Sequence, residues 1–190
     1  AQTLFRHWFI DGAEDDWEDV QLGDFFPVIT GKKDANFSTE DGEYPFFTCA
    51  QNTLRAPNYS FEGKAILLAG NGDFNVKRYD GKFEAYQRTY VLIPNRSEYF
   101  GFLYTLIKYH LDDITGHARG SVIRFITKGM ITDFHFSIPV HQPQELMDKL
   151  DSFNKLFSKV DFNNAQIRTL EKLRDTLLPK LMSGEVRVRL

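Results

Sequence analysis

Apolar residues follow two different patterns along the chain, and the change comes at Pro139. Before it, short apolar stretches alternate with Gly, Asp, Asn and Pro, which is typical of strands and turns. Asp80-Gly81 predicts a tight hairpin turn, Gly129 predicts another turn, and a helix capped by Ser97 is predicted over 97–111. The predicted strands are 44–48, 64–69, 74–79, 86–93, 121–126 and 134–138. This pattern indicates an irregular α+β domain with many loops.

After Pro139 a single apolar stripe of helical period begins. Pro143 suits a first helical turn, Pro179 is expected to kink the last turn, and Ser183-Gly184 is a suitable stop. The stripe consists of Leu146, Leu150, Phe153, Phe157, Val160, Ile167, Leu170, Leu173, Leu177 and Leu181. From 143 to 178 such a helix extends ~54 Å. It needs a partner helix from this chain or another, so coiled-coil pairing is expected.

These two patterns divide the chain into four predicted parts. Residues 1–10 are apolar and helix-like, and they resemble the tail of a longer helix. Residues 11–140 form the α+β domain, residues 141–184 form the long pairing helix, and residues 185–190 form a tail. The predicted fold class is therefore α+β, with an irregular mixed β-sheet domain followed by one long coiled-coil-forming helix.

Composition limits the class of protein further. Of 190 residues 42% are hydrophobic, and 18 Phe supply ample material for a core. No apolar run reaches the ~20 residues of a membrane span, and one cysteine excludes a disulfide framework, so we expect a cytoplasmic protein without membrane contact. The net charge is −3, but residues 11–43 hold eleven acidic residues against Lys32 and Lys33. The rest of the chain is therefore mildly basic.

Signatures of catalysis are weak. Glu62-Gly63-Lys64, preceded by Asp41, resembles the acidic and Glu-x-Lys arrangement with which metal-dependent nucleases bind a divalent ion. A metal-dependent nuclease using Glu62 and Lys64 is therefore kept as an alternative, although charged strand starts are common. No Gly-rich phosphate loop or adenine methyltransferase element is present. We expect no catalytic residue, no metal and no cofactor.

The loops are richer in side chains that bind nucleic acid. Asn and Gln amides can pair with adenine edges, and Lys and Arg can reach phosphates or guanine. Asn71, Asn75, Lys77 and Arg78 are expected to line one face, and residues 116–121 form a basic stretch suited to close approach to a phosphate. The predicted DNA-binding residues are Lys32, Lys33, Gln51, Asn52, Asn71, Asn75, Lys77, Arg78, Arg88, Arg119, Ser121 and Arg124.

The residues 170–188, Leu-Glu-Lys-Leu-Arg-Asp-Thr-Leu-Leu-Pro-Lys-Leu-Met-Ser-Gly-Glu-Val-Arg-Val, closely resemble the end of the specificity subunit of type I restriction-modification enzymes. Trp17 followed by Gln21-Leu22-Gly23-Asp24 resembles the start of that family's target recognition domain. Residues 116–121 followed by Phe136-Ser137-Ile138-Pro139 resemble its exit into a long spacer helix. The resemblance covers nearly the whole chain.

This resemblance implies a non-catalytic DNA reader. The family's subunit has two recognition domains, each followed by a helix, and the two helices pair antiparallel as a ruler. A helix of ~54 Å would span ~16 base pairs. Because this chain has one of each element, it resembles either the C-terminal half of such a subunit or a half-size subunit that pairs with a second copy.

The resemblance also implies partners. They are double-stranded DNA, methyltransferase subunits and, through these, a restriction subunit of a prokaryotic defence system. The residues expected to pair the helices are Leu146, Leu150, Phe153, Phe157, Val160, Ile167, Leu170 and Leu177. A coiled-coil scaffold without DNA binding is the remaining alternative.

Overall fold

The structure, a computed structural model, describes residues 1–116, 118, 124–141 and 143–186. It forms two units, residues 1–153 and residues 154–190. The helices are α1 (Gln2–Phe5, continued by a π-helical turn over Arg6–Ile10), α2 (Phe100–Tyr109), α3 (Leu111–Thr115), α4 (Lys128–Thr132) and α5 (Pro143–Met182). The strands are β1 (Glu18–Gln21), β2 (Val28–Thr30), β3 (Tyr44–Phe47), β4 (Leu54–Ala56), β5 (Phe61–Ala69), β6 (Val76–Ala85), β7 (Thr89–Leu92) and β8 (His135–Ile138).

Six strands of the first unit form one mixed sheet in the order β2-β7-β5-β6-β3-β4. Neighbouring strands are antiparallel except β3 and β6, which pair in parallel at Phe46–Glu84. β1 and β8 form a separate antiparallel pair. The predicted α+β class, with a mixed sheet followed by one long helix, is therefore confirmed.

The hairpin turn predicted at Asp80-Gly81 is wrong, because both residues lie inside strand β6. Gly81 is opposite Gly63 of β5, and their φ angles are +134° and +124°. Only glycine adopts such angles readily. The two glycines therefore let a long antiparallel pair continue through an unusual backbone conformation instead of turning.

The helix predicted over residues 97–111 forms in three pieces. A 3-10 turn begins at Ser97, and α2 and α3 follow it. Arg96 rather than Ser97 occupies the N-terminal cap position, and its side chain makes no capping hydrogen bond. The turn predicted at Gly129 is also wrong, because this glycine lies in α4.

The core of the first unit includes both ends of its chain. α2 packs one face against β5 and β6. The buried ring of Phe9 lies 4.7 Å from that of Phe102 of α2, measured between centroids. Phe153 of α5 is completely buried and lies 6.3 Å from both rings. This unit therefore contains residues 1–10 and the first turns of α5 and extends beyond the predicted domain at 11–140.

Burial divides the predicted pairing stripe of α5 into two parts. The first members of the stripe, Leu146, Leu150, Phe153 and Phe157, are buried. Leu146, Leu150 and Phe153 lie in the first unit, which favours a core role for these three, and pairing by the stripe stays a prediction. The later members are between 38% and 62% exposed, and they are Val160, Ile167, Leu170, Leu173, Leu177 and Leu181.

α5 contains 40 residues, which makes it ~60 Å long. Pro179 lies inside its last turn, where it cannot donate to the carbonyl of Asp175, and the helix nevertheless continues to Met182. The predicted stop at Ser183-Gly184 is confirmed, because Ser183 N donates to Pro179 O (2.9 Å) and Gly184 has a φ of +75°. Within the described part of the chain, no helix combines the length and the apolar character needed to cross a membrane.

Candidate nucleic-acid interface

Five loop segments of the first unit come together where β5 ends and β7 begins. Backbone hydrogen bonds join them: Gly70 N donates to Arg88 O (2.8 Å), and Gly72 N donates to Arg124 O (3.0 Å). We call this group the loop cluster, and its segments are 31–34, 48–52, 70–75, 86–89 and 124–126. The cluster brings together residues that are up to 95 positions apart in the chain.

Two glycines allow these segments to approach closely. A Cβ atom at Gly31 would lie 2.0 Å from the carbonyl oxygen of Ala85, and one at Gly70 would lie 2.5 Å from that of Arg88. No side chain fits at such distances. With glycine in place, Gly31 N donates to Thr89 O at 3.1 Å and links β2 to β7.

The loop cluster presents a mainly basic surface. Its cationic members with solvent access are Lys32, Lys33, Arg88 and Arg124, and its acidic members are Asp34 and Asp73. The Lys33 ammonium lies 4.4 Å from the centroid of the Phe37 ring, and the Arg124 guanidinium lies 5.5 Å from that of Phe74. Within the described residues, the side chains of Lys32 and Arg88 have no partner. Arg124 Nη2 also donates to Thr115 O (3.2 Å). Lys32 and Arg88 are therefore the cations most available to phosphate.

A cavity of about 230 Å³ opens within the loop cluster. Asn71, Gln87 and Arg88 supply its polar wall, and Tyr90 and Phe125 supply aromatic rings. Phe125 is exposed and pairs with Asn71 through an isolated antiparallel bridge. Within the described residues, this bridge is the one β-pairing of the strand predicted at 121–126. Burial raises the pKa of Tyr90, whose hydroxyl donates to a backbone carbonyl. Amides and a guanidinium beside aromatic rings are groups that recognise nucleobases.

Asn75 is buried and Lys77 is half-buried, and both side chains donate hydrogen bonds within the cluster. Asn75 is 9% exposed, and its Nδ2 donates to Cys49 O (2.7 Å) and to a second carbonyl (3.0 Å). Lys77 Nζ donates to Ala50 O, and burial lowers the pKa of this ammonium. These donors are used within the protein, which favours internal roles for both residues, and direct DNA contact by Asn75 and Lys77 stays a prediction.

Arg78 lies on the other face of the sheet from Lys77, because consecutive strand residues point to opposite faces. Its guanidinium lies 5.8 Å from the ring of Tyr104 on α2. The expectation that Asn71, Asn75, Lys77 and Arg78 line one face is therefore wrong.

Gln51 and Asn52 are exposed in the bend that follows β3. Neither side chain has a hydrogen-bond partner among the described residues, so both amides are available to a ligand. The predicted contacts Arg119 and Ser121 lie outside the described residues. DNA binding by all these residues stays a prediction.

The residues of the nuclease alternative lie apart from metal-ligand groups. Glu62 is opposite Lys82 and Lys64 is opposite Asp80 in the β5–β6 pair. In the ranges that the structure describes, no group of three or more His, Cys, Asp and Glu residues could hold a metal ion. The structure therefore lends the nuclease alternative no support.

Sequence reasoning missed two members of the cluster, Gln87 and Phe125. Gln87 N donates to Lys33 O (2.9 Å), and its side-chain Nε2 donates to Asp34 Oδ1 (2.7 Å). The signal for Gln87 was its amide side chain beside Arg88, near the start of the strand predicted over 86–93. Phe125 was predicted only as part of the strand at 121–126, and the structure shows it exposed at the cavity.

Comparison with known proteins identifies the family. The family model described as type I restriction modification DNA specificity domain matches residues 14–172. The chain belongs to this family. The resemblance noted in the sequence is thereby confirmed, and the match includes the loop cluster and most of α5.

Two curated relatives show how much of a family protein the chain spans. It is 42% identical over 178 residues to the type I restriction enzyme EcoDI specificity subunit of Escherichia coli, covering 90% of this chain and 39% of the relative. It is 28% identical over 231 residues to the MjaIX specificity subunit of Methanocaldococcus jannaschii, covering 99% and 52%. The chain therefore spans about half or less of the length of these relatives.

Solved structures share the fold. The S subunit of a type I restriction-modification system from M. genitalium matches with a TM-score of 0.69 at 18% identity, covering 90% of this chain and 47% of the other. The HsdS subunit from Thermoanaerobacter tengcongensis matches with a TM-score of 0.54 at 16% identity, covering 97% and 50%. At this identity the likeness concerns the fold alone.

Proposed function

We propose that the chain recognises DNA in a sequence-specific manner, as all or part of the specificity subunit of a type I restriction-modification complex. The observation that carries the proposal is the loop cluster, in which cations and unpartnered amides from distant segments share one surface. Membership of the DNA specificity family supports it independently. In this role the chain is not a catalyst and acts in the cytoplasm, where its DNA target is found.

The two kinds of side chain divide the work of binding. Lys32, Lys33, Arg88 and Arg124 bind phosphates and determine affinity and its dependence on salt. Gln51, Asn52 and Asn71 bind base edges and determine sequence preference, since a bidentate amide distinguishes adenine from the other bases. One such domain reads one half of a bipartite target.

The exposed stripe of α5 pairs with a second helix. An apolar surface of this length costs free energy in water, so a helix with a matching stripe would stabilise it. The partner is either the helix of a second recognition half or that of a second copy of this chain. The paired helices hold two recognition domains at a fixed distance, and the assembly docks methyltransferase subunits and, through them, a restriction subunit.

Methylation in cells tests this function. The chain is co-expressed with a cognate methyltransferase subunit, and methylated genomic positions are sequenced beside a strain that has the methyltransferase alone. A symmetric bipartite motif would mean that two copies form a working subunit. An asymmetric motif that arises only when a second recognition half is added would mean that the chain supplies one half of the target.

The result that contradicts the proposal is equally clear. No motif in either arrangement, together with no binding of the chain to duplex DNA at low salt, would favour the coiled-coil scaffold. Incubation of the chain alone with DNA and Mg²⁺ is the accompanying control, and cleavage there would reopen the nuclease alternative.

A further inference from the structure

Two neighbouring carbonyls in the loop cluster each accept a hydrogen bond from a side chain at the start of strand β6 or just before it. Asn75 Nδ2 donates to Cys49 O (2.7 Å), and Lys77 Nζ donates to Ala50 O. Asn75 directly precedes β6, and Lys77 is the second residue of this strand. Lys77 pairs with Leu67 of β5 in the centre of the sheet, and Asn75 O accepts a hydrogen bond from Ala69 N at the end of β5 (3.0 Å), so both residues are anchored on the sheet.

The segment that they hold leads directly into an exposed tip. Upstream of it, Thr89 Oγ1 donates to Phe47 O (3.3 Å), and Ala50 N donates to Thr48 Oγ1 (3.2 Å). The hydrogen bonds from Asn75 and Lys77 are the last in this series, because they hold Cys49 and Ala50, the two residues directly before Gln51. The backbone is thus fixed up to position 50, and the amides of Gln51 and Asn52 follow it into solvent.

We propose that Asn75 and Lys77 are positioning residues for sequence readout: they hold the carbonyls of Cys49 and Ala50 so that Gln51 and Asn52 present their amides to base edges. This inference rests on the proposed function. It assigns Lys77 a role in specificity rather than in phosphate binding, because its ammonium is held at Ala50 O.

The two roles of a lysine have different signatures in a salt titration. A lysine that binds a phosphate releases a counterion, so its removal makes the slope of log K against log salt shallower by about 0.9. A lysine that positions a reading loop leaves this slope unchanged. Its removal instead lowers the ratio of affinities for target and non-target DNA, by ~5-fold to ~150-fold if one bidentate base contact is lost.

The experiment measures both quantities on the full chain. A target is first selected from random duplex oligonucleotides, and anisotropy titrations then compare it with a scrambled duplex over a series of KCl concentrations. Lys77→Met should lower the affinity ratio and keep the slope. Lys32→Met should make the slope shallower and keep the ratio. Lys82→Met, at the far end of the same strand, should change neither.

A double-mutant cycle shows whether Lys77 acts through the tip. In the background Gln51→Ala plus Asn52→Ala, Lys77→Met should cause no further loss of the affinity ratio. A full additional loss there, a shallower slope for Lys77→Met, or an unchanged ratio in this variant would each overturn the proposal. Thermal unfolding confirms that each variant is folded, and Asn75→Ala serves as a second variant with the same expected loss of the affinity ratio.

Hydrogen exchange separates failure of this inference from failure of the proposed function. If the wild-type chain prefers no DNA sequence, the proposed function fails, and the positioning role can still be judged without DNA. Lys77→Met should then speed the exchange of backbone amides at 49–52 while those of β5 stay protected. Equal exchange at 49–52 in the variant and the wild-type chain would overturn the positioning role by itself.

Discussion

Phe153→Ala is the perturbation that best tests how α5 begins. The side chain is completely buried, and its ring centroid lies 5.8 Å from that of Trp8 and 6.3 Å from those of Phe9 and Phe102. Truncating a buried phenylalanine costs ~3–5 kcal/mol of unfolding free energy, because transfer energy is lost and a cavity remains. In a domain of this size each kcal/mol lowers Tm by ~2–4 °C, so a loss of ~4 kcal/mol should lower it by ~8–16 °C.

Calorimetric melting of the full chain measures this loss, and Phe162→Ala is the matched control. Phe162 is 55% exposed on the same helix, so its truncation should change the unfolding free energy by less than ~0.5 kcal/mol. The melts are repeated over a range of protein concentrations. If Phe153 belongs to the core of its own unit, the loss should not depend on concentration. A loss that grows on dilution would instead identify it as a pairing residue and refute the assignment.

Three further predictions concern the interface, the sheet and the helix. Arg88→Gln should make the slope of log K against log KCl shallower by ~0.9, and an unchanged slope would remove this residue from the phosphate contacts. Gly81→Ala should destabilise the chain by ~1–3 kcal/mol in urea melts because of its φ of +134°, whereas Gly129→Ala in α4 should be neutral or stabilising. Val160→Asp plus Ile167→Asp should abolish helix pairing, measured by analytical ultracentrifugation of the chain with its partner helix, and should leave the Tm of the first unit unchanged. If the double variant still assembles, the proposed pairing surface is wrong.

Local sequence determines the features that need only neighbouring residues. The stripe from Leu146 onward, with Pro143 before it and Gly184 after it, is sufficient to predict a helix, because helical period and termination are local properties. The apolar stretches of β3 and β5 are similarly predictable from a few consecutive side chains. The terminal motif at 170–188 even indicated the family.

The same local reasoning failed where a distant segment decides the outcome. Asp80-Gly81 is a favourable turn pair, but Gly81 pairs with Gly63 of β5 and strand β6 continues through it. Lys77 and Asn75 carry donors suited to DNA, and in the structure these donors are bonded to the carbonyls of a loop distant in sequence. In each case a long-range contact overrides a short-range preference.

The sequence by itself therefore determined the class of the fold, the long helix, the residue types suited to DNA and the family. Only the tertiary structure decided which of these residues share a surface, because the loop cluster is joined by hydrogen bonds between segments far apart in the chain. It also divided the stripe of α5 into a buried beginning and an exposed remainder, since one apolar pattern serves equally for a core and for a partner helix. Periodicity records that a face is apolar, and the packing around it determines what covers that face.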